Sequence, residues 1–289
     1  MDHIKQYNDV DRSNESKHFR ITRIEDYYSE RSGEPDVPHR HNYYTILVAN
    51  KAKGKHIIDF NNYTLGNNQI YFIGPGQVHQ VIEEEQSFGY SIVFSDQFLI
   101  KNHIPTSFLF NLNLFNNHGA SPFLNANNLD EINEYCSQLV LVQKEFSLFQ
   151  EDMASSYLKL ILIQCSTILH NVSSGLQANM FRNSLFNEFR KLVETHFAKW
   201  HSVQDYANEL NVSTDHLNRI IKSLNGKTTK QYIHSRIFVE TKRMLYFTDL
   251  SNKEIAYQLG FSEPSHFSAF VKKQSGTSPK SFRKHFLNQ

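Results

Sequence analysis

The chain has 289 residues, a formal net charge of +1, 39% hydrophobic residues and two cysteines. This length allows two domains of ordinary size, and the composition is that of a globular protein rather than a disordered or fibrous one. Two cysteines exclude a disulfide scaffold, residues 1–18 contain no apolar signal-peptide core, and the longest apolar stretch is too short to span a bilayer. We therefore expect a cytoplasmic protein without a membrane segment, with Cys136 and Cys165 buried as small apolar residues.

The charge is divided between the two halves of the chain. From Phe181 onward there are 17 Lys and Arg against 9 Asp and Glu, and before it there are 13 against 20. A basic half has the character of a phosphate-binding surface, whereas an acidic half is repelled by nucleic acid. The charge therefore makes the C-terminal half the candidate for DNA binding.

The first half of the chain is predicted to consist of short strands. Alternating or β-branched runs bounded by Gly and Asn predict strands at 19–24, 43–49, 55–60, 69–73 and 90–94. Several short strands close together favour a sandwich or a small barrel. The Asn-rich stretch 102–128 is predicted to be mostly loop.

Two helices are predicted after the strands, at 129–149 and 152–170. The second is apolar on more than one face, so it needs a partner on both sides. One side can face the barrel. The other is covered either by a second protomer or by the first helix, in an internal hairpin of a monomeric protein. The polar segment 171–180 contains Ser-Ser-Gly and is expected to be an interdomain linker.

The segment 251–282 has the pattern of a helix-turn-helix motif. Ser251 and Glu254 form a capping box, and Ile255, Ala256 and Leu259 make an apolar stripe. Gly260 supplies a left-handed residue at the turn. Ser262 is then expected to cap a second helix, with Pro264 in its first turn.

The same pattern occurs earlier in the chain. Ser202 is a helix cap, Asn211 takes the place of Gly260, and Ser213 takes the place of Ser262, all at an offset of 49 residues. From Leu217 and Phe267 the offset becomes 50. An internal repeat of this kind is informative about the whole fold.

These residues resemble a known family. The region 186–286 is similar to the paired DNA-binding domain of AraC/XylS-type transcriptional regulators, and the segment 253–283, K-E-I-A-Y-Q-L-G-F-S-E-P-S-H-F-S-A-F-V-K-K-Q-S-G-T-S-P-K-S-F-R, is close to the family signature. Ala269 departs from it where Arg is frequent, and Val271 where Phe is usual. The loss of that Arg predicts weak base reading by the second motif. The resemblance implies a regulator that in most members activates transcription by touching RNA polymerase.

The second helix of each motif is expected to enter the major groove of double-stranded DNA. Arg219 is the best candidate for reading guanine and Asn218 for adenine, although Arg219 could instead hold a phosphate or form a surface ion pair. Glu263 could accept from cytosine or complement the helix dipole. The full candidate set is Thr214, Asp215, His216, Asn218, Arg219, Lys222, Glu263, Ser265, His266, Ser268 and Lys272, with the lysines expected on phosphates.

An uninterrupted helix is predicted between the motifs, at 229–247. At 1.5 Å per residue it would be roughly 27 Å long. Two recognition helices joined by such a linker helix would reach successive major grooves, about 34 Å apart, on one face of the duplex.

Two histidine-containing loops in the first half resemble the histidine motifs of cupin barrels, which form the effector domain of many AraC-type regulators. The candidate effector-binding residues are His39, Arg40, His41, Tyr43 and His79. A cupin metal site also needs a carboxylate, and its expected position near Thr45 holds none. We therefore expect no metal or other cofactor. The histidines would contact a small effector, or only line the pocket and bond to loop backbone.

The predicted architecture is α+β. A cupin-like barrel with a helical dimerisation segment occupies 1–170, a linker 171–180, and an all-α domain with two helix-turn-helix motifs and a linker helix 181–289. The predicted function is that of a bacterial, homodimeric transcriptional activator controlled by a small-molecule effector. The protein is not expected to be an enzyme. The alternatives are a cupin metalloenzyme fused to a DNA-binding module, or a regulator whose barrel only dimerises.

Overall fold

The computed structural model describes residues 5–7, 18–26, 36–59, 61–112, 114–115, 123–126, 128–144, 147–172 and 184–286. The chain divides into two compact units between Ser173 and Ser174. Most of the predicted linker 171–180 lies outside the described residues. Within those ranges, no helix combines the length and the apolarity needed to cross a membrane.

An eight-stranded sheet forms the first unit, as expected from the strand-rich sequence. Its strands are β1 (Lys5–Tyr7), β2 (Phe19–Arg23), β3 (His39–His41), β4 (Tyr44–Ile58), β5 (Asn61–Leu65), β6 (Gln69–Ile73), β7 (Val78–Phe94) and β8 (Phe123–Asn125). The main path runs β1-β3-β7-β4-β6-β8, with β2 also on β7 and β5 also on β4. Every pair is antiparallel except β1 with β3.

Two long strands replace what the sequence predicted as short ones. The predicted strands 43–49 and 55–60 are joined in β4, and the predicted strand 90–94 is the end of β7. Gly54 and Gly89 lie in these strands with positive φ, and a Cβ on either would meet a facing carbonyl oxygen at about 2 Å, that of Ile82 or Val48. The pairing shifts register between Ala49 and Gly54. Glycine therefore allows a bulged strand to continue here instead of forming a turn.

Among the described residues, four helices of six or more residues accompany the sheet. They are α1 (Asp96–Lys101), α2 (Thr106–Leu112), α3 (Asp130–Lys144) and α4 (Gln150–Val172). The stretch 102–128, predicted as mostly loop, thus contains α2, and it also contains β8, which pairs with β6. Residue composition did not predict α2 or β8. An Asn-rich sequence has a low propensity for helix and strand, but contacts with the rest of the fold can still stabilise both.

The central strands bury side chains on both faces. Ile46 and Val48 belong to the core that also includes the apolar sides of α3 and α4. Leu47 and Ala49, which alternate with them, belong to a second cluster with Tyr71 and Ile73. Cys136 and Cys165 are buried in the first core, as predicted, and burial raises the pKa of both thiols.

The second unit is helical. Its helices are α5 (Ser184–His196), α6 (Val203–Glu209), α7 (Thr214–Asn225), α8 (Thr229–Phe247), α9 (Asn252–Gln258), α10 (Pro264–Ser275) and α11 (Pro279–Phe286). Helix α8 has the bounds predicted for the linker helix. Ile233 and Ile237 of α8 pack into the core around α5–α7, whereas Leu245 packs into the core around α9 and α10. One helix therefore contributes to both helix-turn-helix cores.

A buried ion-pair network joins α5 to α8. Arg236 donates to Glu194 at 2.8 Å and to Glu240 at 3.0 Å, and Arg243 donates to Glu240 at 3.2 Å. The guanidinium of Arg236 also lies 3.8 Å from the ring centre of Phe197. Burial alone would lower the pKa of Arg236, but the two carboxylates raise it, so the pair stays ionised. Removing one partner would leave an uncompensated buried charge, so the network makes the docking of α8 specific.

The turn of the second motif packs directly on the loop that precedes the first motif. Gly260 has φ +77°, and a Cβ placed on it would lie 2.2 Å from the carbonyl oxygen of Ala198. Beside it, Nε2 of His201 bonds to the carbonyl oxygen of Leu259 at 2.8 Å, and the His201 ring meets that of Phe261 edge-on. Glycine is therefore required here for two independent reasons, the left-handed backbone and the close approach.

We expect Gly260→Ala to destabilise the helical unit more than Gly276→Ala does. Both glycines have nearly the same positive φ, but nothing lies within 4 Å of a Cβ at Gly276. The control should cost roughly 1–2 kcal/mol for its backbone alone, and the Gly260 variant should cost more because Ala198 must move. Urea unfolding followed by fluorescence of Trp200, the single tryptophan, measures the difference. Equal losses would show that the contact with Ala198 contributes nothing.

Candidate functional site

The first helix-turn-helix motif is built by side-chain caps and a left-handed turn residue. Ser202 accepts from the backbone N–H of Gln204 at the start of α6, and Ser213 accepts from that of His216 at the start of α7. Between them, Asn211 adopts φ +53°. Both caps and the turn residue are as the sequence predicted, because each depends only on local chemistry.

The second motif matches the first except at the start of its recognition helix. The capping box of Ser251 and Glu254 is present in both directions, and Gly260 is left-handed. The prediction that Ser262 caps α10 is wrong. The N-cap is Glu263, whose side chain makes no capping bond, and Pro264 is the first helical residue. Because proline has no N–H, one of the amides that a cap would satisfy is absent.

The recognition helices α7 and α10 keep their outer faces open. Each has 12 residues, ends at a left-handed glycine, and buries only two residues, Leu217 and Ile221 in α7 and Phe267 and Val271 in α10. The candidates that are exposed are Asp215, Arg219, Lys222, Glu263, Ser265, His266 and Lys272. Thr214, His216, Asn218 and Ser268 are half-buried.

Arg219 and His216 contact each other on the outer face of α7. Nη2 of Arg219 lies 2.9 Å from Nδ1 of His216. Residues three apart are neighbours on a helix surface, so the contact is compatible with undistorted helix geometry. The same positions in α10 are His266 and Ala269. There, Nδ1 of His266 lies 3.4 Å from the hydroxyl of Ser262.

Asn218 is engaged within the protein. Its Oδ1 accepts from the backbone N–H of Thr229 at 3.0 Å and lies 3.4 Å from the Thr229 hydroxyl. Reading adenine needs that oxygen together with the amide nitrogen. In the structure, Asn218 satisfies the first amide of the buried start of α8.

The second repeat lacks this bond for a clear chemical reason. The residue in the place of Thr229 is Pro279, which has no N–H to satisfy. The residue in the place of Asn218 is Ser268, whose hydroxyl donates to the carbonyl oxygen of Pro264, one turn earlier in its own helix. The asparagine and the amide that donates to it are thus both present in the first repeat, and both are absent from the second.

The candidate effector residues lie together in the sheet unit. His39 and His41 are in β3, and His79 faces His39 across the β3–β7 pair. The ring of His79 lies 4.3 Å from that of His39, and the ring of Tyr43 stacks on that of His41 at 4.2 Å. Arg40 lies between the two histidines of β3 and is half-buried. Sequence analysis grouped these residues, and the register of the strands brings the ring-bearing ones into contact.

A third buried histidine, His56, joins the cluster and was missed by sequence analysis. It lies in β4, with its Nε2 3.3 Å from Nδ1 of His79, and its side chain is fully buried. The signal available was weak, because a single histidine that follows alternating lysines in a strand is typical of a surface position. Within the described residues, no group of three or more His, Cys, Asp or Glu side chains has the geometry to hold a metal ion.

The hydrogen bonds of the cluster determine which histidine nitrogens donate and which accept. Nδ1 of His41 lies 2.7 Å from the carbonyl oxygen of Tyr43 and must donate to it, so Nε2 of a neutral His41 accepts. That nitrogen lies 3.1 Å from Nε2 of His79 and 3.2 Å from the hydroxyl of Thr45. His79 then donates to His41 and accepts from His56. Nδ1 of His56 is left as a buried acceptor without a partner among the described residues.

Burial keeps these imidazoles neutral. It lowers the pKa of His41 to about 4 and that of His56 to about 3, and it lowers the pKa of His79 well below its usual value. Repulsion from the neighbouring histidines acts in the same direction. The cluster therefore provides uncharged nitrogen donors and acceptors at neutral pH.

Comparison with known proteins agrees with the motifs. Residues 206–285 match the protein family described as Helix-turn-helix domain. The HTH-type transcriptional activator RhaS of Enterobacter sp. (strain 638) is 23% identical, over 86% of this chain and 90% of that protein. RhaS of Escherichia coli O81 (strain ED1a) is 24% identical, over 88% and 90%. A structure of ToxT from Vibrio cholerae covers 92% of this chain and 98% of its own, with a TM-score of 0.43 and 16% identity.

Motif, structure and relatives agree on the type of protein. The segment that carries the signature folds as the second of two helix-turn-helix motifs, and the similarity to the activators extends over most of both chains. The helical unit resembles the paired DNA-binding domain of AraC/XylS-type transcriptional regulators, and the protein is a DNA-binding transcriptional regulator.

Proposed function

We propose that the protein activates transcription by binding one face of a DNA duplex through α7 and α10, under control of a small molecule held in the sheet unit. The observation that carries the proposal is the pair of recognition helices with open polar faces on a basic unit. The relatives RhaS are named as activators, which favours the positive sign of control and RNA polymerase as a partner.

The two recognition helices differ in what they offer to DNA. Helix α7 presents Arg219, whose planar fork matches O6 and N7 of guanine. Helix α10 has Ala269 at the same position and presents Lys272 in its last turn, where an ammonium can reach a phosphate. We assign sequence reading chiefly to α7 and backbone holding chiefly to α10.

Arg219→Ala should weaken binding to a duplex selected by the wild-type protein by roughly 1–3 kcal/mol and relax the preference at one base pair. Lys272→Ala, the matched change on α10, should weaken binding to all duplexes and reduce its salt dependence. Affinities on selected and scrambled duplexes at several salt concentrations separate the two cases. A uniform loss for Arg219→Ala would make that residue a phosphate contact.

The histidine cluster is the place we propose for the effector. It combines neutral nitrogen atoms, a hydroxyl and aromatic rings, and Nδ1 of His56 has no donor among the described residues. A buried acceptor without a partner is costly, so a ligand that supplies a donor would be bound favourably. A ligand that binds one conformation of the protein better than another shifts the population of DNA-competent molecules.

We also propose that the protein is a homodimer joined through its helical hairpin. Helix α4 buries Leu158, Ile161 and Leu162 against the sheet unit, while Leu160 and Ile163 remain about 45% exposed. Other exposed apolar side chains of the hairpin are Leu141, Leu148, Phe149 and Met153. Apolar side chains grouped on one helical hairpin are typical of an interface with another protein chain.

Native mass spectrometry of the purified full-length chain tests both the effector proposal and the homodimer proposal. We expect a dimer carrying a small organic adduct, because a costly acceptor favours occupation. Leu160→Glu should give a monomer, since it places a charge at the proposed interface, whereas Lys159→Glu beside it should remain dimeric. His79→Leu should lose the adduct. A monomeric wild-type protein, or an adduct unchanged by His79→Leu, would contradict the corresponding proposal.

The sheet unit should lose stability as the pH falls below about 6.5. The unfolded chain takes up protons on its histidines around this pH, whereas His41 in the folded state takes one up only near pH 4. The unfolded state therefore binds more protons in this window, and His41 alone should cost roughly 2 kcal/mol between pH 8 and pH 5. Scanning calorimetry measures the transition, with Trp200 fluorescence identifying that of the helical unit.

Two variants separate this effect from general acid lability. His41→Gln should reduce the pH dependence because it removes one group that titrates on unfolding. His103→Gln, which changes a histidine outside the cluster, is the matched control. A sheet-unit transition that is independent of pH between 8 and 5 would show that the cluster is already charged in the folded protein.

A further inference from the structure

We propose that His216 is a positioning residue that holds Arg219 in the orientation in which it reads a base. The inference rests on the proposed function and adds the means by which the reading side chain is ordered before DNA arrives. His216 was a candidate base reader in its own right. The contact with Arg219 assigns it to the support of that reader instead.

The geometry fixes the chemical roles. Nη2 of Arg219 lies 2.9 Å from Nδ1 of His216, and an arginine nitrogen can only donate. His216 therefore presents a bare Nδ1 and carries its proton on Nε2. The backbone of His216 is itself fixed, because its N–H donates to the Ser213 hydroxyl that caps the helix. The acceptor is thus anchored in the first turn, one turn before the arginine.

The contact still leaves donors for DNA. A guanidinium has five N–H donors, and one bond to His216 uses one of them. A guanine offers two acceptors, O6 and N7, so the remaining donors are enough for a bidentate contact. His216 can therefore orient the guanidinium and still leave enough of its donors for the base.

Ordering matters because Arg219 is exposed and long. An exposed arginine samples many rotamers, and fixing one on binding costs about 0.5–1.5 kcal/mol. A side chain already held in the free protein avoids part of this cost. The corresponding gain in affinity is about two- to tenfold and is confined to the base that Arg219 contacts.

The repeat provides an internal comparison. In α10 the histidine is retained as His266, but the arginine is replaced by Ala269, so there is no guanidinium for it to hold. His266 instead faces Ser262. The equivalent histidines therefore differ in their neighbour: His216 lies beside Arg219, whereas His266 has no arginine at that position. His266 is thus the matched control.

The test is a double-mutant cycle on a duplex selected from a random library by the wild-type protein. Guanines are replaced one at a time by 7-deazaguanine, which lacks the N7 acceptor. The guanine read by Arg219 is the one whose replacement costs nothing further in Arg219→Ala. At that base we expect His216→Leu to reduce discrimination about two- to tenfold, and to have no effect when Arg219 is already alanine.

A rescue and a control complete the cycle. His216→Asn should restore most of the discrimination, because its Oδ1 provides an acceptor close to the position of Nδ1. His266→Leu should combine additively with Arg219→Ala, whatever its own effect on binding. Unchanged helix content by circular dichroism in all variants excludes loss of α7 as the cause.

The outcomes distinguish the inference from the function on which it rests. If Arg219→Ala weakens binding but His216→Leu acts equally in both backgrounds, His216 does not act through Arg219 and the inference is wrong while DNA reading stands. If Arg219→Ala has no effect, Arg219 is not a reader and the inference is wrong too. If the wild-type protein selects no duplex, the proposed function itself fails.

Discussion

The close approach of Gly260 to Ala198 is the contact on which the arrangement of the helical unit depends. Two helix-turn-helix motifs can read one duplex in a fixed register only if neither moves relative to the other. Helix α8 contributes to both cores, but a helix joined at its ends alone can still pivot. Packing the turn of the second motif on the loop before the first, with the bond from His201 to Leu259 beside it, adds a second point of attachment. The ion pairs of Arg236 then fix α8 to α5.

The repeat shows how one fold can keep its frame while its outer face changes. Buried positions correspond closely: Leu217 with Phe267 and Ile221 with Val271. Polar positions change in pairs, as Asn218 and Thr229 do with Ser268 and Pro279. A buried amide must have a partner, so the asparagine and the threonine amide are retained or lost together. Such pairing explains a polar residue on a recognition helix without any contact to DNA.

What could be predicted from the sequence was the part that depends on nearby residues. The caps at Ser202, Ser213 and Ser251 and the turns at Asn211 and Gly260 follow from local backbone chemistry, and the structure has them all. Predictions failed where distant residues decide. Ser262 is a local exception, because Pro264, two residues later, removes an amide to be capped.

The sheet unit illustrates the same limit. Gly54 reads as a turn, but the facing strand makes it a bulge, and this choice depends on Ile82 some 28 residues away in the sequence. The histidines of β3 and His79 were grouped by their motifs, whereas His56 enters the cluster only through the register of β4 with β7, which no local pattern specifies. The sequence therefore predicted the members of the candidate site except for the most buried one.

The two units also differ in how they use charge, and this difference fits the tasks that we propose for them. In the helical unit, the buried Arg236 and Arg243 are paired with carboxylates, because an arginine remains charged in proteins and needs a partner when buried. In the sheet unit, the buried polar groups that the structure describes are histidines, hydroxyls and an amide, and burial keeps the histidines neutral. Paired charges hold one geometry firmly, which suits a surface that must match the spacing of DNA grooves. Neutral donors and acceptors can exchange partners at little electrostatic cost, which suits the effector site that we propose.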